Sequence, residues 1–433
     1  MLRRSSPASG NTDAPAGRRE GFGRALGLGL ITGAADDDPS AIGTYASAGA
    51  KIGNPILWMA PATMPMMFAV VYLTAKLSMV SGRGLFDAIR HFYPRWLLYP
   101  LLSGALIANT VEAGADLGGM AAALGIYLPF DPRWLVPPIA AVILALQILG
   151  SYVAIRNVFR WLALALLAYV GAAILARPDW PEVLRATVVP TIRLDREFIT
   201  LVVAIIGTTL SAYLYSWQSN EEVEEEIALG RTTVQQRKGA SRAELHESRR
   251  DIWIGMIFSN IVMYFIILST AATLHQAGQT EIASAADAAD ALRPLAGDAA
   301  GALFVLGVVG VGFLAVPVMT TGAAYDVAQT LGWKASLHAR PREAKGFYGL
   351  IILFTALGVG VNFLGFDPMD ALVWAGVVQG FTTPALLALI LLMTNSRRIM
   401  GERINGIALN LLGGLTLLVS TGAGLTLLYL WLI

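Results

Sequence analysis

Five consecutive residues, Asp36-Asp37-Asp38-Pro39-Ser40, sit in the middle of the first apolar stretch of the chain. On either side, residues 22–50 have the composition of a membrane helix. A carboxylate at the centre of a bilayer costs on the order of 3 kcal/mol on insertion scales, so acids there are retained for use. Proline removes a backbone donor and clashes with the preceding turn. Together they predict a helix that unwinds at mid-membrane and turns a carboxylate toward a cavity. Freed backbone carbonyls beside such a carboxylate are the elements of a cation site.

Other oxygen-bearing side chains recur at membrane depth. Gly207-Thr208-Thr209-Leu210-Ser211-Ala212-Tyr213 lies at the centre of the sixth apolar segment, and small, β-branched and hydroxylated residues together weaken a helix. The structural alternative is a helix contact lined by small residues. Asn109, Glu112 and Asp116 are spaced i, i+3, i+7, which puts them on one helix face. They read either as a polar lane for ions, water or protons, or as a satisfied network between helices. Gln379, Thr382 and Thr383 precede Pro384, and Pro317 precedes Thr320 and Thr321. Both groups read as helix weak points or as ordinary interhelical hydrogen bonding. Glu221, Glu222, Glu224, Glu225 and Glu226 read as a salt-bridged helix end or a cation-attracting vestibule.

Eleven segments are long and apolar enough to position these groups: 22–50, 55–80, 96–128, 133–152, 156–176, 197–227, 250–275, 299–331, 346–365, 369–394 and 404–432. With the N-terminus inside, most of the 31 Lys and Arg fall on inner loops, and every inner loop is cationic. An odd count then places the C-terminus outside. Residues 1–21 read as a disordered cytoplasmic tail, and 22–432 as one membrane domain. Loop 276–298, rich in Ala and Asp, reads as extracytoplasmic, with a short surface helix.

Composition narrows the function. The 433 residues are 55% hydrophobic and 14% charged, with a mean hydropathy of +0.60, which is the composition of a polytopic membrane protein. A net charge of +1 points to no nucleic-acid partner. The absence of cysteine removes disulfides, thiolate ligands and cysteine nucleophiles. His91, His246, His275 and His338 all fall in loops or at helix ends. No cluster of catalytic groups shares one membrane depth, so neither an enzyme nor a cofactor is expected. Three consecutive acids beside the site would repel a substrate carboxylate, which weighs against an amino-acid carrier.

The stretches GLGLITGAADDDPSAIGTYASAGA, IGTTLSAYLYSW and VVQGFTTPALLALILLMTNSRRIMG resemble the Nramp family of divalent-metal transporters, and the resemblance runs from about residue 22 to 432. It implies an all-α LeuT-type fold. Two inverted repeats of five helices, about 22–176 and 197–394, would precede an extra helix at 404–432. Helices one and six would be discontinuous, with alternating access around a site between them. The family's Asp-Pro-Gly-Asn becomes Asp38-Pro39-Ser40-Ala41, and its Met-Pro-His becomes Ser211-Ala212-Tyr213. Its helix-three Asp matches Asp116, its nearby Glu falls at Gly119, and its helix-ten Gln matches Gln379.

The resemblance implies Asp38, Ala35, Thr208, Ser211 and Gln379 as metal ligands. Asp37, Ala41, Thr209, Tyr213, Asn109, Glu112 and Asp116 would line the cavity or ion path. The lost thioether removes a soft ligand, and a roomier oxygen site suits a partly hydrated Mg²⁺. In these substitutions the chain is similar to the Nramp-related magnesium transporters, which implies import of Mg²⁺ and Mn²⁺ with weak proton coupling. The alternative is a proton-coupled Mn²⁺ or Fe²⁺ transporter. A prokaryotic plasma membrane is the expected location.

Overall fold

Helix is the only regular structure among the described residues of the computed structural model, which cover 28–149, 164–282 and 284–432. In hydrocarbon every backbone donor and acceptor must be satisfied within the chain, and a helix does this segment by segment. The expected tail 1–21, the first residues of segment one and the junction 150–163 lie outside the described residues.

Fifteen helices matter here. They are α1 (Leu28–Asp36), α2 (Pro39–Ile52), α3 (Met59–Ser81), α4 (Leu85–Phe92), α5 (Arg95–Gly125), α6 (Val136–Leu149), α7 (Ala168–Leu175) and α8 (Arg196–Thr209). There follow α9 (Ala212–Ala228), α10 (Arg242–Thr270), α11 (Ala285–Asp290), α12 (Ala300–Leu331), α13 (Lys345–Val361), α14 (Pro368–Asn395) and α15 (Ile407–Leu432). Seven described stretches are long and apolar enough to cross a membrane: Asn54–Ser81, Pro132–Leu149, Arg196–Ala228, Arg242–His275, Arg293–Leu331, Pro368–Asn395 and Ile407–Leu432. Lys345–Val361 is apolar but shorter.

Segments one and six are both interrupted, between α1 and α2 and between α8 and α9. These breaks are five segments apart, as an inverted five-helix repeat requires. Proline alone does not break a helix here. Pro65, Pro100, Pro317 and Pro384 all lie inside continuous helices. Around Pro384 the hydroxyls of Thr382 and Thr383 return to the Gln379 carbonyl at 3.0 Å.

Glycine sets the closest crossings. A Cβ at Gly207 of α8 would lie 1.7 Å from the Gly376 carbonyl oxygen of α14. A Cβ at Gly33 of α1 would lie 2.2 Å from the Gly255 carbonyl oxygen of α10. Backbones this near exclude any side chain, which is how small residues let membrane helices pack. At the periphery, α15 leaves Leu411, Leu415, Leu418 and Leu425 exposed and buries Gly413, Thr416, Ser420 and Gly424 on the opposite face. That reversed amphipathicity suits a helix facing lipid.

Loop 276–298 differs from its expectation. It does contain a short helix, α11, but Ala285, Ala288 and Ala289 are buried. Ala285 and Ala288 line a small cleft with Pro39, Gly43, Gly119 and Leu372, so α11 is lodged over the start of α2. Alanine, with no polar group to leave unpaired, allows a loop helix to fit there.

Candidate functional site

Asp38 ends the first break. It stands at the N-cap of α2, with Pro39 in the first turn, where proline's missing N–H costs nothing. Its Oδ1 accepts from the Ala41 backbone N–H at 2.6 Å and from the Ser40 hydroxyl at 2.8 Å. This is side-chain capping in its usual form, which satisfies a donor the helix cannot. The N-terminus of α2 also presents its positive dipole end to the carboxylate. The other oxygen, Oδ2, lies 2.8 Å from the Tyr213 hydroxyl of α9. The same hydroxyl is 2.8 Å from the Ala35 carbonyl oxygen, which the break has released from α1. A carboxylate oxygen and a free carbonyl therefore converge on one point at the first break.

The second break is built from outside. Ser211 occupies the N-cap of α9 without capping it. Its hydroxyl instead contacts the Gly207 and Thr208 carbonyls at 3.0 and 2.9 Å and Glu112 Oε1 at 3.1 Å. The Ala212 N–H is accepted by Gln379 Oε1 at 3.2 Å, and the Leu210 carbonyl accepts from Thr383 at 2.9 Å. Both partners come from α14.

Glu112 and Asp116 of α5 join the two breaks. The Ser40 N–H donates to Asp116 Oδ1 at 2.9 Å, and the Ser40 hydroxyl is 3.2 Å from Glu112 Oε1 and 3.4 Å from the Thr208 hydroxyl. Gln379 Nε2 donates to Glu112 Oε2 and, at 3.2 Å, to Asn109 Oδ1. Asn109, Glu112 and Asp116 thus do share one face of α5, turned toward the breaks.

Asp36 and Asp37 turn elsewhere. Ser259 of α10 lies 2.6 Å from Asp36 Oδ2 and 3.3 Å from Asp37 Oδ1. Of the three acids, only Asp38 reaches α9. Asp36, Asp37, Asp38, Glu112 and Asp116 are all fully buried. Among the described residues no ion pair includes any of them. Five buried acids with no paired cation among the described residues form a cation-attracting interior. Among the described residues, however, no three His, Cys, Asp or Glu side chains come together to hold a metal. A divalent ion would rely on one carboxylate, neutral oxygens and its own water.

The expected site residues are placed unevenly. Asp38, Ala35 and Tyr213 meet directly, and Thr208 and Ser211 reach the cluster through Ser40 and Glu112. Ala41 contributes its N–H and no side-chain oxygen. Gln379 has both ends of its amide engaged across the second break. Thr209 pairs with Tyr45 at 3.2 Å and with the Ile205 carbonyl, away from this cluster. Asp37 faces Ser259. Ser259 was not singled out from the sequence, while Ser40 and Thr383 were named within their motifs without a role at the site. The one available signal was for Ser40, two residues after Asp38.

A family model described as natural resistance-associated macrophage protein-like, Nramp, matches residues 29–430. A Burkholderia ambifaria protein named divalent metal cation transporter MntH is 27% identical over 442 residues, covering 97% of this chain and 92% of that one. A Klebsiella pneumoniae (strain 342) protein of the same name is 25% identical over 375 residues, covering 85% and 84%. Among solved structures, the Eremococcus coleocola manganese transporter superposes with a TM-score of 0.70 at 17% identity, covering 95% of this chain and 88% of that one. Mhp1, a nucleobase-cation-symport-1 family transporter in a closed conformation, gives 0.56 at 14% identity, covering 94% and 90%. Both share the LeuT-type fold with this chain.

Proposed function

This chain belongs to the Nramp family, and on that premise we propose that it moves a divalent metal cation across a membrane by alternating access around the Asp38 break. It is a transporter and not an enzyme. Of the ions, we propose Mg²⁺, with Mn²⁺ also carried. The convergence of Asp38 Oδ2 and the Ala35 carbonyl on the Tyr213 hydroxyl carries this reading. A cation entering there displaces the Tyr213 hydroxyl and gains one charged and one neutral oxygen. Thr208 and Ser211 add hydroxyls close by, and among the described residues no thioether joins the hydrogen-bonded cluster. Hard oxygen ligands with room for retained water suit Mg²⁺, which dehydrates reluctantly.

Uptake of Mg²⁺, Mn²⁺ and Cd²⁺ into proteoliposomes tests the ion. Mg²⁺ and Mn²⁺ should enter, and Cd²⁺ should compete poorly. Ser211→Met should raise the Cd²⁺ to Mg²⁺ affinity ratio roughly tenfold, the effect of one ligand contact worth about 1.4 kcal/mol. An unchanged ratio would mean that Ser211 does not face the ion.

Glu112 and Asp116 favour a second reading, proton-coupled Mn²⁺ or Fe²⁺ transport. Both are buried and tied through Ser40 to Asp38. A pH dye inside the same liposomes separates the two. Mg²⁺ entry without acidification supports the first reading. Acidification that scales with metal entry and vanishes in Asp116→Asn or Glu112→Gln supports the second.

A further inference from the structure

A buried acid on α12 has no part in the Asp38 site. Asp326 is fully buried, and Ser216 of α9 donates to its Oδ1. Its Oδ2 has no hydrogen-bond partner, and among the described residues no ion pair includes it. One turn before it, Gly322 is buried, yet a Cβ built there would meet nothing within 4 Å. Helical side chains lean toward the N-terminus, so Asp326 leans over Gly322 and toward that space. One turn after it, Thr330 is buried with an unpartnered hydroxyl. Space, a carboxylate with a free oxygen and a spare hydroxyl therefore lie along one face of α12.

That face abuts the half of segment six that leads away from the Asp38 site. Ser216 follows Tyr213 by three residues, so it stands on the same side of α9, about 5 Å further along. Asn220, one turn beyond Ser216, meets Gln329 of α12 at 2.6 Å. The seam between α9 and α12 thus begins one turn from the hydroxyl that touches Asp38. It runs toward the end of α12 that the loop charges assign to the cytoplasm.

We propose that this seam holds a second station for the transported divalent cation, with Asp326 as its charged ligand and the Ser216 and Thr330 hydroxyls as neutral ones. The proposal rests on the reading of the Asp38 site. A carboxylate oxygen left unpaired in a buried space favours a cation occupant. Ions leave a tight site faster when a weaker one lies next along the path. The open space beside Gly322 is what admits an ion that keeps part of its water.

The test uses the full chain, with Mn²⁺ binding followed by the electron-paramagnetic-resonance signal of free Mn²⁺ and uptake followed in proteoliposomes. Wild type should bind two Mn²⁺ per chain, and Asp38→Ala and Asp326→Asn one each. Asp326→Asn should lower maximal uptake by about tenfold or more, as loss of a charged contact does, while the external KM stays within about twofold. Gly322→Leu, whose Cβ would meet nothing within 4 Å and whose side chain would occupy the space, should also leave one Mn²⁺ and slow uptake. It decides the matter if Asp326→Asn does not fold. One Mn²⁺ in wild type, lost in Asp38→Ala and kept in Asp326→Asn or Gly322→Leu, overturns the second station and leaves the Asp38 reading standing. No Mn²⁺ bound and none moved by wild type overturns the reading beneath it.

Discussion

The two breaks that meet at the site are held open by different means. The first is local. Asp38 caps α2 with its own side chain, and Pro39 sits where a helix begins. The second is tertiary. Ser211 turns its hydroxyl away from the helix it precedes, and α14 lends Gln379 and Thr383 to the exposed N–H and carbonyl. A break that carries its own cap keeps its shape when neighbours move. A break capped by another helix keeps its shape only while that helix stays in place. The contrast gives α14 a capping role at the second break, whereas at the first it packs, through Leu372 beside Pro39 and Gly43, without capping. The close crossing at Gly207 and Gly376 is what fixes α14 against α8.

The widest effect expected is at Asp38, where the proposed ion binding and the capping coincide. Asp38→Ala and Asp38→Asn should both lower divalent-cation uptake by roughly a hundredfold or more, since neither leaves a carboxylate for the ion. They should differ in stability. Asparagine still caps and alanine does not, so Asp38→Ala should unfold more easily by about 1 kcal/mol in denaturant titration. Equal stability of the two would show that the first break does not depend on its own cap.

At the second break the expected effects are smaller and structural. Gln379→Leu leaves the Ala212 N–H and Glu112 without this partner, which should cost about 1–3 kcal/mol. Amide exchange at Ala212 should speed up, while exchange at Ala41 stays slow. Equal acceleration at both positions would erase the distinction between the breaks. Thr383→Val removes one neutral hydrogen bond to the Leu210 carbonyl, so about 1 kcal/mol is expected, with faster exchange confined to the start of α9. A Thr383→Val effect as large as that of Gln379→Leu would place the support in packing and not in these bonds.

The same contrast explains what the sequence disclosed. The first break was legible because its causes are neighbours in the chain, acids and a proline in an apolar run. The second was visible only as a weak stretch of small and hydroxylated residues, since the groups that hold it lie more than 160 positions away on α14. Asn109, Glu112 and Asp116 were readable as one face because helix periodicity alone decides that. What lay opposite them was not, because periodicity gives a face but no neighbour. Ser259 escaped notice for that reason, and the partners of Ser40 and Thr383 stayed hidden. A hydroxyl in an apolar helix looks the same whether it returns to its own backbone or reaches an acid on another helix. Gln379 was noticed beside Pro384 and matched through the resemblance, but that its amide spans the second break was not legible. The alanines of α11 read as surface and are buried, because alanine's composition carries little information about burial.

Asp38's divided use of its two oxygens reaches beyond stability. Calcium gathers roughly six to eight oxygens and often takes both from one carboxylate, whereas magnesium is content with one in an octahedral shell. Asp38 offers one oxygen, Oδ2, once the Tyr213 hydroxyl moves aside, because the other holds the Ala41 N–H and the Ser40 hydroxyl. For calcium to claim the second, α2 must lose its cap, at a cost of about 1 kcal/mol. On the proposed reading, the start of a helix would act as a filter against the larger ion.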